Sequence, residues 1–209
     1  MNAAKRLSPR KTPVQARSLH TVEAIFEASI QVLTTVGVER LTTTRVAERA
    51  GVSVGTLYQY FPNKQALLAA VLEKHLLLVV SAVEEACNTS RGKTSHQMAS
   101  ALVEAFMDAK FADPDASRAL YAVAPTVGGE AMVVRLTQRA QQAMCEMLVT
   151  ATDRTFDQLP LISYVLSTAL VGPVQSLLSV KAEGPVVSAT RRHLVSMAQG
   201  YLDTVGTAR

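Results

Sequence analysis

Apolar residues recur every three or four positions along most of this chain, which is the spacing of one face of an α-helix. The first such stripe consists of Val22, Phe26, Ser29, Leu33 and Val36, and Gly37 closes it. No stretch shows the alternation of apolar and polar residues that marks a half-buried strand, and no internal repeat is present. The pattern therefore predicts an all-α protein of about nine helices.

Two unusually short helices are predicted next. Thr42 is a suitable N-cap for a helix over Thr43–Ala50, and Gly51 ends that helix after about two turns. Ser53 caps a helix over residues 54–60 in the same way. Two short helices joined by a turn that contains glycine are typical of a helix-turn-helix.

The rest of the chain is predicted to form longer helices. Asn63 caps a fourth helix that runs to about Asn88. Further helices follow, and the last two cover residues 159–182 and 188–205. The helix over residues 159–182 is apolar nearly all round, so we expect it to be covered on several sides.

The second short helix has one apolar side and one polar side. At about 100° per residue, Leu57 and Phe61 share the side that packs inward. The opposite side carries Gly55, Thr56 and Gln59, and Tyr58 and Tyr60 flank it. A helix this short has too little apolar surface to be held by burial on both sides, so we interpret its polar side as a binding surface. The alternative is that the two tyrosines pack at a helix–helix joint.

The polar side has the chemistry of a DNA-recognition helix, which reads base edges and grips phosphates. Thr56 can donate a hydrogen bond to a phosphate and offer its methyl group to thymine. Gln59 can contact an adenine edge or a phosphate, and Gly55 would let the helix backbone approach the groove closely.

Lys64 stands in the first turn of the fourth helix, where a cation opposes the helix dipole. The folding of this helix by itself therefore disfavours a lysine there. A bound phosphate would accept hydrogen bonds from the free N–H groups of the helix N-terminus and would pair with the lysine. We therefore predict that Lys64 holds a phosphate group.

Residues 41–68, LTTTRVAERAGVSVGTLYQYFPNKQALL, strongly resemble the N-terminal DNA-binding domain of TetR-family transcriptional regulators. The shared features are the threonines that open the second helix, A-x-x-A-G-V-S, G-T-L-Y-x-Y-F and N-K-x-x-L-L. The match covers about residues 18–70, and the remainder fits the family in length and helix count. The resemblance implies a homodimeric, all-helical regulator whose C-terminal domain binds a small molecule and releases DNA.

The resemblance also implies which residues contact DNA. Val54 stands where many family members have a longer polar or basic residue, so we expect at most a methyl or sugar contact from it. Lys64 would hold a phosphate, and as a hypothesis Arg10, Lys11 and Arg17 lay the N-terminal arm into a minor groove. The remaining contacts would come from Thr43, Thr44 and Arg45 on the second helix and from Gly55, Thr56, Tyr58, Gln59 and Tyr60 on the third.

The charge is concentrated at the N-terminal end. Residues 1–64 contain nine Lys and Arg residues and four Asp and Glu residues, a net charge of +5. Residues 65–209 contain twelve and thirteen, a net charge of −1. Such a basic end suggests a polyanionic partner, although a solvated basic tail explains the arm equally well. We expect a flexible basic arm (1–17), a helix-turn-helix DNA-binding domain (18–64), and a helical ligand-binding and dimerisation domain (65–209).

The body is expected to dimerise and to bind an effector. In the TetR family two C-terminal helices pack against the partner's copies, and residues 159–182 and 188–205 are the candidates here. The first is too apolar to leave a face in water, although burial of both within one chain is the alternative. An apolar or amphipathic small molecule would bind between the helices of residues 95–182. The candidate lining residues, each more simply explained as ordinary core, are Leu102, Phe106, Tyr121, Met144, Met147 and Tyr164.

Composition and termini exclude several other classes. With 48% hydrophobic and 18% charged residues the chain is too apolar to be disordered. No apolar run approaches the roughly 18 to 20 residues of a membrane span, and the N-terminus lacks the apolar segment of a secretory signal. Cys87 and Cys145 form no motif, so we expect both to be reduced in a cytoplasmic protein.

An all-helical enzyme, or a ligand-binding protein without a DNA role, is the alternative function. No histidine has a second ligand three or four positions away in a metal-site pattern, and neither cysteine has a catalytic motif. We therefore expect no enzyme activity, no metal and no cofactor. A membrane-surface protein that uses the basic arm is a third option, but the arm lacks an amphipathic helix.

Overall fold

The computed structural model describes residues 16–209, with side chains from residue 18 onward. The flexible basic arm expected over residues 1–17, with Arg10, Lys11 and Arg17, lies outside the residues whose side chains are described.

Within residues 16–209 the chain forms nine helices and one small sheet. The prediction of an all-α fold is confirmed. The helices are α1 (Ala16–Arg40), α2 (Thr43–Ala50), α3 (Val54–Tyr60), α4 (Lys64–Thr89), α5 (Ser95–Phe111), α6 (Pro114–Thr126), α7 (Glu130–Leu148), α8 (Leu159–Ser179) and α9 (Gly184–Val205). Strand β1 (Arg154–Phe156) precedes α8, and strand β2 (Gly206–Ala208) follows α9.

The described residues divide into two compact units. The first contains residues 16–75 together with Asp115–Met132, and the second contains Leu76–Pro114 together with Val133–Arg209. The first unit is therefore larger than the segment 18–64 that the sequence marks for DNA binding. Apolar side chains from the first half of α4 and from α6 are buried in it, including Leu67, Leu72 and Leu120.

Caps fix the two short helices of the first unit where the sequence predicted them. Thr42 Oγ1 accepts a hydrogen bond from the backbone N–H of Arg45 at 3.3 Å, and Ser53 Oγ accepts one from Thr56 at 3.0 Å. Gly51 ends α2 in the left-handed conformation, with φ 67°. Each cap satisfies backbone groups that a helix end otherwise leaves without a partner, so α2 and α3 have sharp limits.

The second unit contains the small sheet, which the sequence did not predict. β1 and β2 pair antiparallel, with Thr155 opposite Thr207. Each strand has three residues, too few for alternation of apolar and polar positions to be recognised. A Cβ on Gly206 would come within 2.6 Å of the Phe156 ring, so this strand pairing requires glycine at that position.

Helix α5 is anchored at both ends within the second unit. Thr94 and Gln97 form a capping box at its start. Asp153 accepts hydrogen bonds from the backbone N–H (2.7 Å) and the hydroxyl (2.8 Å) of Ser95. Desolvation acts to raise the pKa of Asp153, but these hydrogen bonds outweigh it and lower the pKa. Near the other end, Asp108 pairs with Arg191 of α9 at 2.7 Å.

Within the part of the chain that the structure describes, three helices are long and apolar enough, by length and composition only, to cross a membrane. They cover Ser18–Arg40, Lys64–Thr89 and Leu159–Ser179. The expectation that no segment reaches such a length is therefore wrong by this criterion. It considered uninterrupted apolar runs, whereas a window average tolerates interspersed polar residues. Lys64–Thr89 has the highest mean hydropathy of the three helices, and 56% of its most apolar stretch of 18 residues is buried inside the protein.

Two buried groups have shifted pKa values. Cys87 and Cys145 are free thiols, and burial raises the pKa of Cys87 to about 12, so this thiol is uncharged near neutral pH. Lys110 is the one buried charged side chain among the residues described, and burial lowers its pKa to about 8. Both shifts arise because a charged form is poorly solvated in the protein interior.

Candidate nucleic-acid interface

Helix α3 has a buried side and an exposed side. The exposure of its side chains follows the rotation of about 100° per residue of an α-helix. The exposed arc is centred on Gly55, opposite the apolar side that faces the core of the first unit. Gly55, Tyr58 and Gln59 are exposed, Val54 and Thr56 are intermediate, and Leu57, Tyr60 and the adjoining Phe61 are buried.

The two tyrosines of α3 lie in different environments. Tyr58 is 40% exposed, whereas Tyr60 is 8% exposed and its ring centroid lies 6.4 Å from that of Phe61. Residue 60 is rotated by about 140° from Gly55, which turns its ring into the core. The structure thus keeps Tyr58 with the other predicted contact residues but separates Tyr60 from them, in agreement with the packing alternative for Tyr60.

Gly55 is not required by the fold. Its φ lies outside the left-handed region, and a Cβ added there would meet only Ser53 Oγ, at 3.7 Å. Glycine inside a helix costs about 0.5 to 1 kcal/mol relative to alanine. No contact among the described residues of the first unit requires glycine at this position.

A hydrogen bond connects the exposed arc to the start of α2. Thr43 Oγ1 lies 3.1 Å from the hydroxyl of Tyr58. On α3 itself, Ser53 Oγ lies 2.8 Å from Thr56 Oγ1 and also accepts from the Thr56 N–H. These bonds hold the hydroxyl groups of α2 and α3 in one surface. Sequence spacing did not predict the contact between Thr43 and Tyr58, because the two residues belong to different helices.

The arginines of α2 make hydrogen bonds inside the first unit. Thr44 and Arg45 are exposed beside Thr43. Arg45 Nη1 donates to the backbone carbonyl of Arg40 at 2.9 Å, and Arg49 Nε donates to the side-chain carbonyl of Gln31. The three residues predicted to contact DNA from α2 therefore lie together at its N-terminus, with the Arg45 guanidinium directed back toward the end of α1.

Lys64 has partners within the protein. Its Nζ donates to the carbonyl of Val38 at 2.6 Å and lies 3.4 Å from that of Glu39. These carbonyls follow Gly37, whose φ of 79° and ψ of 169° interrupt α1 near its C-terminus, where the helix dipole is negative. The argument that folding disfavours lysine at position 64 is therefore wrong, because the ammonium stabilises the end of another helix. A phosphate contact from Lys64 remains a prediction.

A cavity of about 170 Å³ lies beside Lys64 within the first unit. Ligand pockets for drug-sized molecules measure about 300 to 1,000 Å³, so this cavity is too small to hold such an effector. It is lined by Val38, Glu39, Lys64, Gln65, Leu68, Thr126 and Val127.

The residues predicted to line an effector pocket are distributed over both units. Tyr121 belongs to the first unit and the other five to the second. Burial raises the pKa of Tyr121 to about 12. Tyr164 is 55% exposed and does not lie with the buried residues of its unit. Leu102, Met144 and Met147 are buried, and Phe106 is partly buried.

Two family models match this sequence. The one described as "Bacterial regulatory proteins, tetR family" matches residues 25–71, and the one described as "Tetracyclin repressor-like, C-terminal domain" matches residues 96–202. The chain belongs to the TetR family. The resemblance found in residues 41–68 is thereby confirmed, and this TetR-family chain is a transcriptional regulator with an N-terminal DNA-binding domain. The TetR family consists of transcription regulators rather than enzymes.

Curated TetR-family relatives match over short segments. Over 56 residues the chain is 46% identical to the tetracycline repressor protein class C of Escherichia coli, covering 27% of this chain and 26% of the relative. Over 63 residues it is 44% identical to the HTH-type transcriptional activator FasR of Mycolicibacterium smegmatis, covering 30% and 28%. The matched part of the chain thus spans less than a third of each of these relatives.

Solved TetR-family structures share the fold over nearly the whole chain. SmeT, the repressor of the Stenotrophomonas maltophilia multidrug efflux pump SmeDEF, aligns with a TM-score of 0.67 at 18% identity, covering 90% of this chain and 93% of SmeT. A TetR-family transcription regulator from Marinobacter aquaeolei aligns with a TM-score of 0.66 at 19% identity, covering 92% and 98%. At these identities the likeness concerns the fold alone.

Among residues 18–209, no group of three or more His, Cys, Asp or Glu side chains is placed to hold a metal ion.

Proposed function

We propose that this TetR-family regulator binds a palindromic DNA operator as a homodimer in the cytoplasm, represses transcription there, and is released by an apolar or amphipathic small molecule. The observation that carries the proposal is the exposed arc of α3, which is centred on Gly55 and joined to α2 by the Thr43–Tyr58 hydrogen bond. A surface of short polar groups around a glycine suits a helix that lies in a major groove.

Each predicted contact residue has a role in this proposal. Thr43, Thr44 and Arg45 bind phosphates and the groove edge from α2, and Tyr58 binds a phosphate from the flank of α3. Gly55 permits close approach, Thr56 and Gln59 face base edges or phosphates, and Val54 contributes a methyl or sugar contact. Tyr60 supports the domain from the core and reaches DNA at most through its hydroxyl group, since its ring is buried.

The dimer is proposed to form through α8 and α9. On α8 the exposed residues Leu161, Tyr164 and Val171 follow helical spacing, opposite the buried residues Ile162, Leu166 and Leu170. On α9 the apolar residues Val186 and Met197 are also exposed, and they lie on one side of that helix. Two neighbouring helices with apolar exposed faces are typical of an isologous interface with a second copy of the chain. Two-fold symmetry would double the few bases that one short recognition helix can grip.

Release by an effector is proposed to work through a shift in population. An effector that binds better to one geometry of the dimer favours that geometry. If the two α3 helices of the dimer no longer match successive major grooves in that geometry, about 34 Å apart, operator affinity falls. The buried methionines of the second unit, Met144 and Met147, suit a site that adapts to apolar ligands, although they fill core gaps equally well.

The proposed function is tested by binding to a library of random duplexes at low ionic strength. We expect the purified full-length chain to retain duplexes and to enrich related half-sites over successive rounds, because both phosphate contacts and base contacts are proposed. Retention of no duplex at all would remove the DNA-binding function. Turnover of a substrate by the same preparation without DNA would instead support the enzyme alternative.

We predict that Lys64→Ala weakens operator binding and flattens its dependence on salt by about one unit of log–log slope per half-site, about two units for the dimer, because one phosphate contact per recognition helix is lost. Fluorescence anisotropy over a range of salt concentrations measures both quantities. The matched control is Lys74→Ala, on the same helix, whose ammonium pairs with Glu23 inside the first unit. Reduced stability with an unchanged slope would limit Lys64 to its contact with the end of α1.

A further inference from the structure

The side chains that α3 presents outward carry no formal charge. The helix sequence VGTLYQY contains no Asp, Glu, Lys or Arg. Its exposed arc and edges offer the methyl groups of Val54 and Thr56, the amide of Gln59 and the bare backbone of Gly55. The arc also carries Tyr58, whose hydroxyl lies 3.1 Å from Thr43 Oγ1 and is assigned to a phosphate at the flank. The Thr56 hydroxyl already has Ser53 Oγ as a partner at 2.8 Å. The groups left for base edges are therefore mainly methyl groups and one amide.

Three described cations of α2 and α4 make hydrogen bonds within the first unit. Arg45 donates to the Arg40 carbonyl, Arg49 donates to Gln31, and Lys64 donates to the Val38 carbonyl. Their remaining donors suit phosphates at the rim of the exposed arc. None of these three cations lies on α3, the helix whose exposed arc is proposed to meet the bases.

The bases differ in the side chains that recognise them in the major groove. Guanine is read in the major groove chiefly by arginine or lysine donors to its O6 and N7 atoms. Adenine is read by an amide that contacts N6 and N7 together, and thymine offers a C5-methyl group to apolar side chains. The exposed side chains of α3 therefore suit contacts with adenine and thymine, and α3 has no arginine or lysine to read guanine.

We propose that the base pairs facing α3 in each operator half-site are A·T pairs, with Gln59 reading adenine and with Val54 and Thr56 contacting thymine methyl groups. This inference rests on the proposed function and adds the class of sequence that the operator contains. Gly55 makes the arrangement possible, because methyl groups as short as those of Val54 and Thr56 reach the groove floor only if the helix backbone approaches closely. Phosphate contacts from α2 and α4 supply the affinity that uncharged base contacts do not.

The test uses base analogues in a duplex selected from the random library. Replacing thymine by deoxyuridine removes only the C5-methyl group, and 7-deazaguanine removes only the N7 acceptor of guanine. We expect deoxyuridine at the contacted position to weaken binding about fourfold for each methyl lost, following the transfer free energy of one buried methyl or methylene group. We expect 7-deazaguanine at the half-site positions that face α3 to change the affinity by less than about twofold, because no arginine or lysine of α3 reads N7.

Protein variants assign the contacts to residues. Gln59→Ala should reduce the preference for adenine at one half-site position by about fivefold or more, the lower end for a bidentate base contact. Val54→Ala should reduce the loss caused by deoxyuridine, because the methyl contact is already absent. The matched control is Gln138→Ala, an exposed glutamine of the second unit, which should leave both preferences unchanged.

Failure of this inference can be distinguished from failure of the proposed function. A guanine facing α3 whose 7-deaza analogue weakens binding tenfold or more, or insensitivity to deoxyuridine at every position facing α3, would overturn the A·T assignment and leave DNA binding intact. A Gln59→Ala variant with unaltered base preference would overturn the role of Gln59. Retention of no duplex would overturn the proposed function and this inference with it.

Discussion

Leu161→Glu is expected to convert the dimer into a monomer and to reduce operator affinity about 100-fold or more. Leu161 is 54% exposed on the apolar face of α8 proposed as the interface, so the substitution places a carboxylate from each copy in a contact that excludes water. An unpaired buried charge costs several kcal/mol, and about 2.7 kcal/mol already corresponds to 100-fold. Analytical ultracentrifugation measures the association state, and fluorescence anisotropy measures the affinity.

The control for this prediction is Val134→Glu. Val134 has nearly the same exposure, 55%, but lies on α7, outside the proposed interface. We expect this variant to remain dimeric and to bind the operator as the unmodified protein does. A Leu161→Glu protein that is folded, dimeric and unimpaired in binding would show that the partner covers another surface.

Gly55→Ala is expected to change stability and DNA binding in opposite directions. Replacement of a glycine in the first turn of a helix should stabilise the first unit by up to about 1 kcal/mol, the value for a helix interior, since the new methyl group meets only Ser53 Oγ at an ordinary distance. The same methyl group would enter the proposed contact with the duplex. If it costs about 1 to 3 kcal/mol per half-site, as overpacking does in protein cores, a two-site operator is bound at least about tenfold more weakly.

Two measurements together decide the role of Gly55. Denaturant unfolding followed by circular dichroism gives the change in stability, and titration of the operator gives the change in affinity. A less stable variant would mean that the glycine serves the fold after all. A more stable variant with full affinity would mean that the duplex does not approach α3 at this residue, which would weaken the proposal that this arc is the reading surface.

Local sequence signals predicted the first unit well because caps act over three or four residues. Thr42 and Ser53 each accept a hydrogen bond from the backbone N–H three residues later, as their side chains suggested. Gly51 has the positive φ that its place after α2 implied. The exposed arc of α3 followed from helical rotation alone, since Gly55 and Leu57 must face different directions.

The same kind of reasoning failed where the partner is remote in sequence. Lys64 was judged by the dipole of its own helix, yet its ammonium binds carbonyls 25 and 26 residues earlier. Tyr60 is a different case: the family resemblance assigned it to DNA, whereas helical rotation alone turns its ring into the core next to Phe61. The spacing of apolar residues in Asp115–Met132 did not predict that this segment packs into the first unit.

The sequence by itself determined the helices, the limits of α2 and α3, the outward direction of Gly55 and Gln59, and membership of the TetR family. These features depend on backbone geometry and on side chains a few positions apart. Only the tertiary structure decided that Thr43 joins Tyr58, that Lys64 stabilises the end of α1, and that Leu161 and Tyr164 share an exposed apolar face with a buried side behind it. The physical reason is that packing brings together groups whose separation along the chain carries no periodic signal, so their contacts exist only once the helices are assembled.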